Sequence, residues 1–201
     1  MSLSLRWVDS NAITKDEKSI YALKTTHKHT VLKTLFQNAN HSYETKISAM
    51  EKIMGSDNSD IAIRCKAACM AGLPDAENKA KVWAEITDPS SQESLYVRGA
   101  KMSGFYCSDQ LELISPYFEK YFEVLPMLNE KTTYKYLNQF FHAMLPITQI
   151  KDSYIVKLVA LKNETPDSAK NFNSMLQDGI EILVRTMQIR EFAKGHLAAK
   201  L

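Results

Sequence analysis

Few residues in this sequence stand at spacings that could do chemistry. His27 and His29 occupy alternate positions, while Cys65 and Cys69, and likewise Arg98 and Lys101, stand one helical turn apart. Alternate positions on a helix point away from each other, so the two imidazoles are poorly placed as metal ligands, and a solvated face is the preferred reading. Cys65 and Cys69 share a helix face but cannot easily bridge each other within it. A zinc site would need further ligands, and neither a C-x-x-C nor a paired-His motif supplies them. All three cysteines are therefore expected to be buried, inert thiols. Arg98 and Lys101 are the candidate peptide contacts, because two cations on one face could hold a peptide carboxylate. A surface salt-bridge pair is the blander alternative. Tyr117, Phe118, Tyr121 and Phe122 could stack on a ligand, although at this spacing core packing is the preferred reading. No H-E-x-x-H, G-x-S-x-G, P-loop or G-x-G-x-x-G occurs, and no histidine precedes a glutamate. No catalytic residue and no metal ligand is assigned, and the chain alone is expected to be non-catalytic and free of cofactor.

The elements that must position these residues read as helices throughout. Thr14 to Glu17 form a capping box, with Ile20, Leu23 and Val31 continuing an apolar trend. A break is expected near His27–His29, followed by a helix with Val31, Leu32, Leu35 and Phe36 inward. Ser42 caps a helix that turns Ile47, Met50 and Ile53 inward, and Ser59 caps one carrying Ile61, Cys65, Ala68 and Cys69. In "GLPDAENKAKVW", Gly72 closes that helix and Pro74 opens the next, where Asp75 and Glu77 favour the positive end of the dipole. Pro89 biases Asp88 out of the helical region and ends the helix of Val82, Trp83 and Ile86. The pattern continues with a helix ending near Gly104 and another capped by Ser108. Ser115–Pro116 starts one that Pro126 stops, and Asn129 opens one that Pro146 ends. A shorter helix covers about 152–161, and Thr165–Pro166 starts the longest.

The expected class is all-α, with roughly nine or ten short helices joined by tight turns in one domain spanning 1–201. The architecture read from helix length and loop brevity is a helical-repeat array, an α-solenoid, although no clean sequence repeat supports it. Lys and Arg number 25 against 23 Asp and Glu. That balance offers no field for nucleic acid, so a basic nucleic-acid binder is disfavoured. No apolar run approaches the ~20 residues that span a bilayer. The odd cysteine count argues against a disulfide framework and points to a reducing compartment, the cytoplasm. The terminal "MSL" and "AAKL" are candidate additions to the natural chain.

Three stretches then carry a resemblance: "DNSDIAIRCKAACMAGLPDAENKAKVWAEIT", "SLYVRGAKMSGFYCSDQLELISPYFEKYFEVLPML" and "FFHAMLPITQ". In order they place Pro74, Asn78, Lys79 and Trp83, then Arg98, Gly104 and Phe105. Pro116, Tyr117, Tyr121, Phe122 and Pro126 follow, and finally Phe141, Leu145 and Pro146. This series resembles the C-terminal domain of zinc aminopeptidases of the aminopeptidase N family, most strongly over 57–190. The resemblance implies a HEAT-like helical array that caps the active site and encloses a peptide. It also implies partners: the catalytic domain of the same polypeptide and a peptide substrate. The family's zinc ligands and general base lie in the catalytic domain, with no counterpart here, so zinc is expected only in a parent polypeptide. The alternative is a freestanding HEAT-like adaptor that binds proteins.

Overall fold

The computed structural model describes residues 12–14, 20–22 and 24–198. Among them the protein is an all-α array of ten helices, preceded by one short hairpin. Strands β1 (Ala12–Thr14) and β2 (Ile20–Ala22) pair antiparallel, with Ala12 opposite Ala22 and Thr14 opposite Ile20. This corrects the expectation of a capped helix beginning at Thr14. Thr14 and Ile20 are strand residues, and the rest of the proposed capping box, like Leu23, lies outside the described residues. The β-branched Ile13, Thr14 and Ile20 suit a pleated backbone, and pairing overrides the local capping signal.

Two compact units divide the chain, one ending at Ile114 and the other starting at Ser115. The first holds α1 (Thr25–Gln37), α2 (Tyr43–Met54), α3 (Asp60–Ala71), α4 (Ala76–Thr87), α5 (Leu95–Phe105) and the short α6 (Leu111–Ile114), with a 3-10 turn at Ser108–Gln110 before it. Ser42, Ser59 and Ser94 cap their helices with side-chain oxygens, accepting from the backbone N–H of Thr45, Ala62 and Val97. Helix α1 runs unbroken through His27–His29, contrary to the expected break. His29 shares the inward stripe with Leu32 and Phe36 and is buried. Burial and the nearby Lys33 lower its pKa against the opposing pull of Asp57. Leu32, Leu35, Phe36, Ala49, Met54, Cys65 and Cys69 form one cluster, joining α1, α2 and α3. Ile61, expected inward, is 56 % exposed, because Ala62 takes the inner position instead.

The close contact of this unit is between α3 and α5. A Cβ added to Gly104 would lie 2.0 Å from the Ala68 carbonyl oxygen. Only a residue without a side chain lets the two backbones meet there. Phe105 then packs against Trp83 of α4, the ring centres 6.0 Å apart.

The second unit holds α7 (Pro116–Lys131), α8 (Tyr134–Met144), α9 (Asp152–Glu164) and α10 (Lys170–Ala198). Three expected boundaries move. Pro126 sits inside α7 rather than ending it, since buried Leu125 and Leu128 hold the helix on either side of the lost N–H. Asn129 consequently belongs to α7, and the next helix is capped by Thr133, whose hydroxyl accepts from the Tyr136 N–H. Thr165 closes α9, its hydroxyl donating to the Leu161 carbonyl, so the longest helix begins only at Lys170. Tyr121 stacks on Phe140 at 5.9 Å and meets Phe122 edge-on at 5.0 Å. Phe122 in turn packs on Tyr154, so the aromatic run is core, as its spacing indicated.

Candidate functional site

The turn between α3 and α4 is the most elaborate piece of the first unit. Gly72 closes α3, its N–H bonding to the Ala68 and Cys69 carbonyls. Asp75 caps α4 by accepting from the Asn78 N–H at 2.7 Å. The Asn78 side-chain amide donates back to the Met70 carbonyl at 2.9 Å. Lys79, fully buried, donates its ammonium to the Ala71 carbonyl at 3.0 Å and to the Phe105 carbonyl at 3.1 Å. It also lies 5.2 Å from the centre of the Phe105 ring. Burial pushes the Lys79 pKa down to about 8.

Ala71 and Phe105 are the last residues of α3 and α5, whose carbonyls have no partner within their own helices. One lysine thus ties two helix ends to a third helix. The device recurs. The Gln110 amide donates to the carbonyls of Gln37, the last residue of α1, and of Gly72, both at 2.8 Å. Within the second unit the Tyr121 hydroxyl donates to the Phe141 carbonyl at 2.9 Å, in the final turn of α8. Arg190 donates to the carbonyls of Ile147 and Thr148 just beyond it.

Arg98 belongs to the same class. It is 5 % exposed, and its guanidinium donates to the carbonyls of Ile86 at 3.1 Å and Asp88 at 2.8 Å, at the C-terminal end of α4. Lys101 is bridged by Glu85 at 2.8 Å and Glu93 at 2.5 Å. Burial works against its charge, but the two carboxylates outweigh burial and leave its pKa raised. The two cations therefore share a helix and do different things, Arg98 capping a helix end while Lys101 bridges two acidic side chains.

Beside the same turn lies a cleft of about 620 Å³. Met70, Leu73 and Pro74 give it apolar walls, with Asp75 and Glu77 contributing carboxylates from the start of α4. Lys46 of α2 lines it as well, although this residue is only 2 % exposed. Among the described residues nothing bonds to its ammonium, and burial lowers its pKa. Sequence reasoning missed Lys46. The only signal was its place on one helical stripe with Ala49, Met50 and Ile53, where a charged residue interrupts an apolar line.

The cysteines are free and buried. Cys65 and Cys69 meet thiol to thiol at 4.0 Å, and that contact, with burial, pushes the Cys69 thiol up. Among the described residues no cluster of His, Cys, Asp and Glu is arranged to hold a metal, and no helix is long and apolar enough to cross a membrane. A scan against models of known protein families gives no match to this chain, and a search of curated proteins gives none either.

Proposed function

We propose that this chain is the C-terminal helical domain of a zinc aminopeptidase of the aminopeptidase N family. In this reading it is a HEAT-like array that covers the catalytic cleft, limits which peptides enter and contacts the body of the peptide beyond its N-terminus. One observation carries it. Seven of the fifteen positions that bear the resemblance sit where helix is locked to helix: Asn78, Lys79, Arg98, Gly104 and Phe105 in the first unit, Tyr121 and Phe141 in the second. A series shared through common architecture has a physical reason to keep such residues in order. Contacts run between neighbouring helices and next-but-one helices, α1 with α2 and α3, α3 with α4 and α5, which suits stacked helix pairs.

Function then follows from shape rather than from reactive groups. A helical wall excludes large folded substrates by size, and the zinc, its ligands and the general base belong to the parent's catalytic domain. The candidate peptide contacts Arg98 and Lys101 would have to reach a peptide while engaged within their own unit, Arg98 by carbonyls at the end of α4 and Lys101 by Glu85 and Glu93. The test compares kcat/KM over a series of peptide lengths for the parent enzyme with and without this domain. Small aminoacyl substrates should lose little on truncation, while longer peptides lose more, so discrimination by length flattens. An identical length dependence in both enzymes would overturn the capping role.

A further inference from the structure

We propose that the cleft over Lys46 binds a small carboxylic acid with an apolar body. Three features converge on that chemistry, independently of any role in a parent enzyme. Lys46 is held within the fold along its stem, and its ammonium meets the cleft with no hydrogen-bond partner among the described residues. An incoming carboxylate is the acceptor this position lacks. The volume, about 620 Å³, suits a small organic molecule. Met70, Leu73 and Pro74 supply the apolar contact that gives such a ligand its binding area.

Lys46 presents a point charge without the fork of an arginine, so it engages one oxygen of a carboxylate rather than both. Asp75 and Glu77 line the cleft together with Lys81 and His41, so the lining carries no excess of negative charge, and discrimination against phosphate rests on its lack of an apolar body. The start of α4 contributes a positive dipole end, part of which Asp75 already offsets by capping the Asn78 N–H. A monoanion with an apolar body meets all of these conditions.

The test uses the full chain and ligand-observed NMR titration with benzoate, its neutral analogue benzamide, and inorganic phosphate. Benzoate should bind saturably, with benzamide weaker by about tenfold or more because it lacks the charge-assisted hydrogen bond, and phosphate weaker because it has no apolar body to fill the cleft. Lys46→Met keeps the side chain's length and apolar stem and should weaken benzoate by about tenfold. Absence of saturable benzoate binding, equal binding of benzoate and benzamide, or phosphate binding tighter than benzoate would each overturn the proposal. So would benzoate binding by Lys46→Met at the affinity of the unmodified chain. The benzoate–benzamide comparison needs no variant and decides the matter even if Lys46→Met does not fold.

Discussion

Gly104→Ala adds one methyl group at the tightest contact of the first unit. Its carbon would sit 2.0 Å from the Ala68 oxygen, 2.8 Å from the Ala68 carbonyl carbon and 2.9 Å from its Cα. All three atoms are backbone, so no side chain can swing aside. To restore ordinary contact, α5 must move away from α3 by more than an ångström, which loosens the packing of Met102 and Phe105. Overpacking of this kind costs about 3 kcal/mol, the upper end of its usual range. Moving α5 also stretches the 3.1 Å bond from Lys79 to the Phe105 carbonyl, worth about 1 kcal/mol. Alanine's better helix propensity returns about 1 kcal/mol. The expected net loss is therefore about 3 kcal/mol. Urea unfolding followed by circular dichroism measures it, with an unchanged slope showing that the transition itself is comparable. Gly195→Ala is the control, since nothing lies within 4 Å of an added Cβ there. It should be neutral or stabilising by less than ~1 kcal/mol. Gly104→Ala within ~0.5 kcal/mol of the unmodified chain would refute the close approach of α3 and α5.

Other expectations follow from the helix-end ties. Lys79 has a folded pKa of about 8 against its usual 10.5, so between those values the unfolded chain binds more protons and stability rises with pH. The rise is at most ~3 kcal/mol and should vanish in Lys79→Met, as urea midpoints from pH 7.5 to 10 would show. Tyr121→Phe removes the donor to the Phe141 carbonyl and should cost about 1 kcal/mol in the same assay, with the aromatic packing kept. Arg98→Met should destabilise by about 2 kcal/mol because it strips a buried cap from the end of α4. Lys101→Met should cost no more than ~1 kcal/mol, its ion pairs being only partly buried, and equal losses from the two would contradict their separate assignments.

What was legible in the sequence was set by local forces. Serine caps at Ser42 and Ser59, the turn at Gly72–Asp75 and the apolar stripes of α1, α3 and α8 act over a few residues and can be read directly. What failed depended on distant partners. Proline at 126 reads as a stop until Leu125 and Leu128 are seen to be buried. Thr14 reads as a cap until Ile20 is found opposite it. The partners of Arg98 and Lys101 were hidden for the same reason, although the salt-bridge alternative named the kind of contact that Lys101 makes. A spacing shows that two cations share a helix, but not that one reaches carbonyls at the end of α4 while the other reaches Glu85 and Glu93. Lys46 left only a faint trace, a charge on an apolar stripe, and its meaning needed the cleft around it.

Whether this chain caps a zinc aminopeptidase is tested most directly by the transcript that encodes it. Long-read sequencing of that transcript should place an H-E-x-x-H and a downstream glutamate upstream of this domain in one open reading frame. A frame that encodes these helices with no such motif would contradict the capping role and leave the adaptor as the better reading.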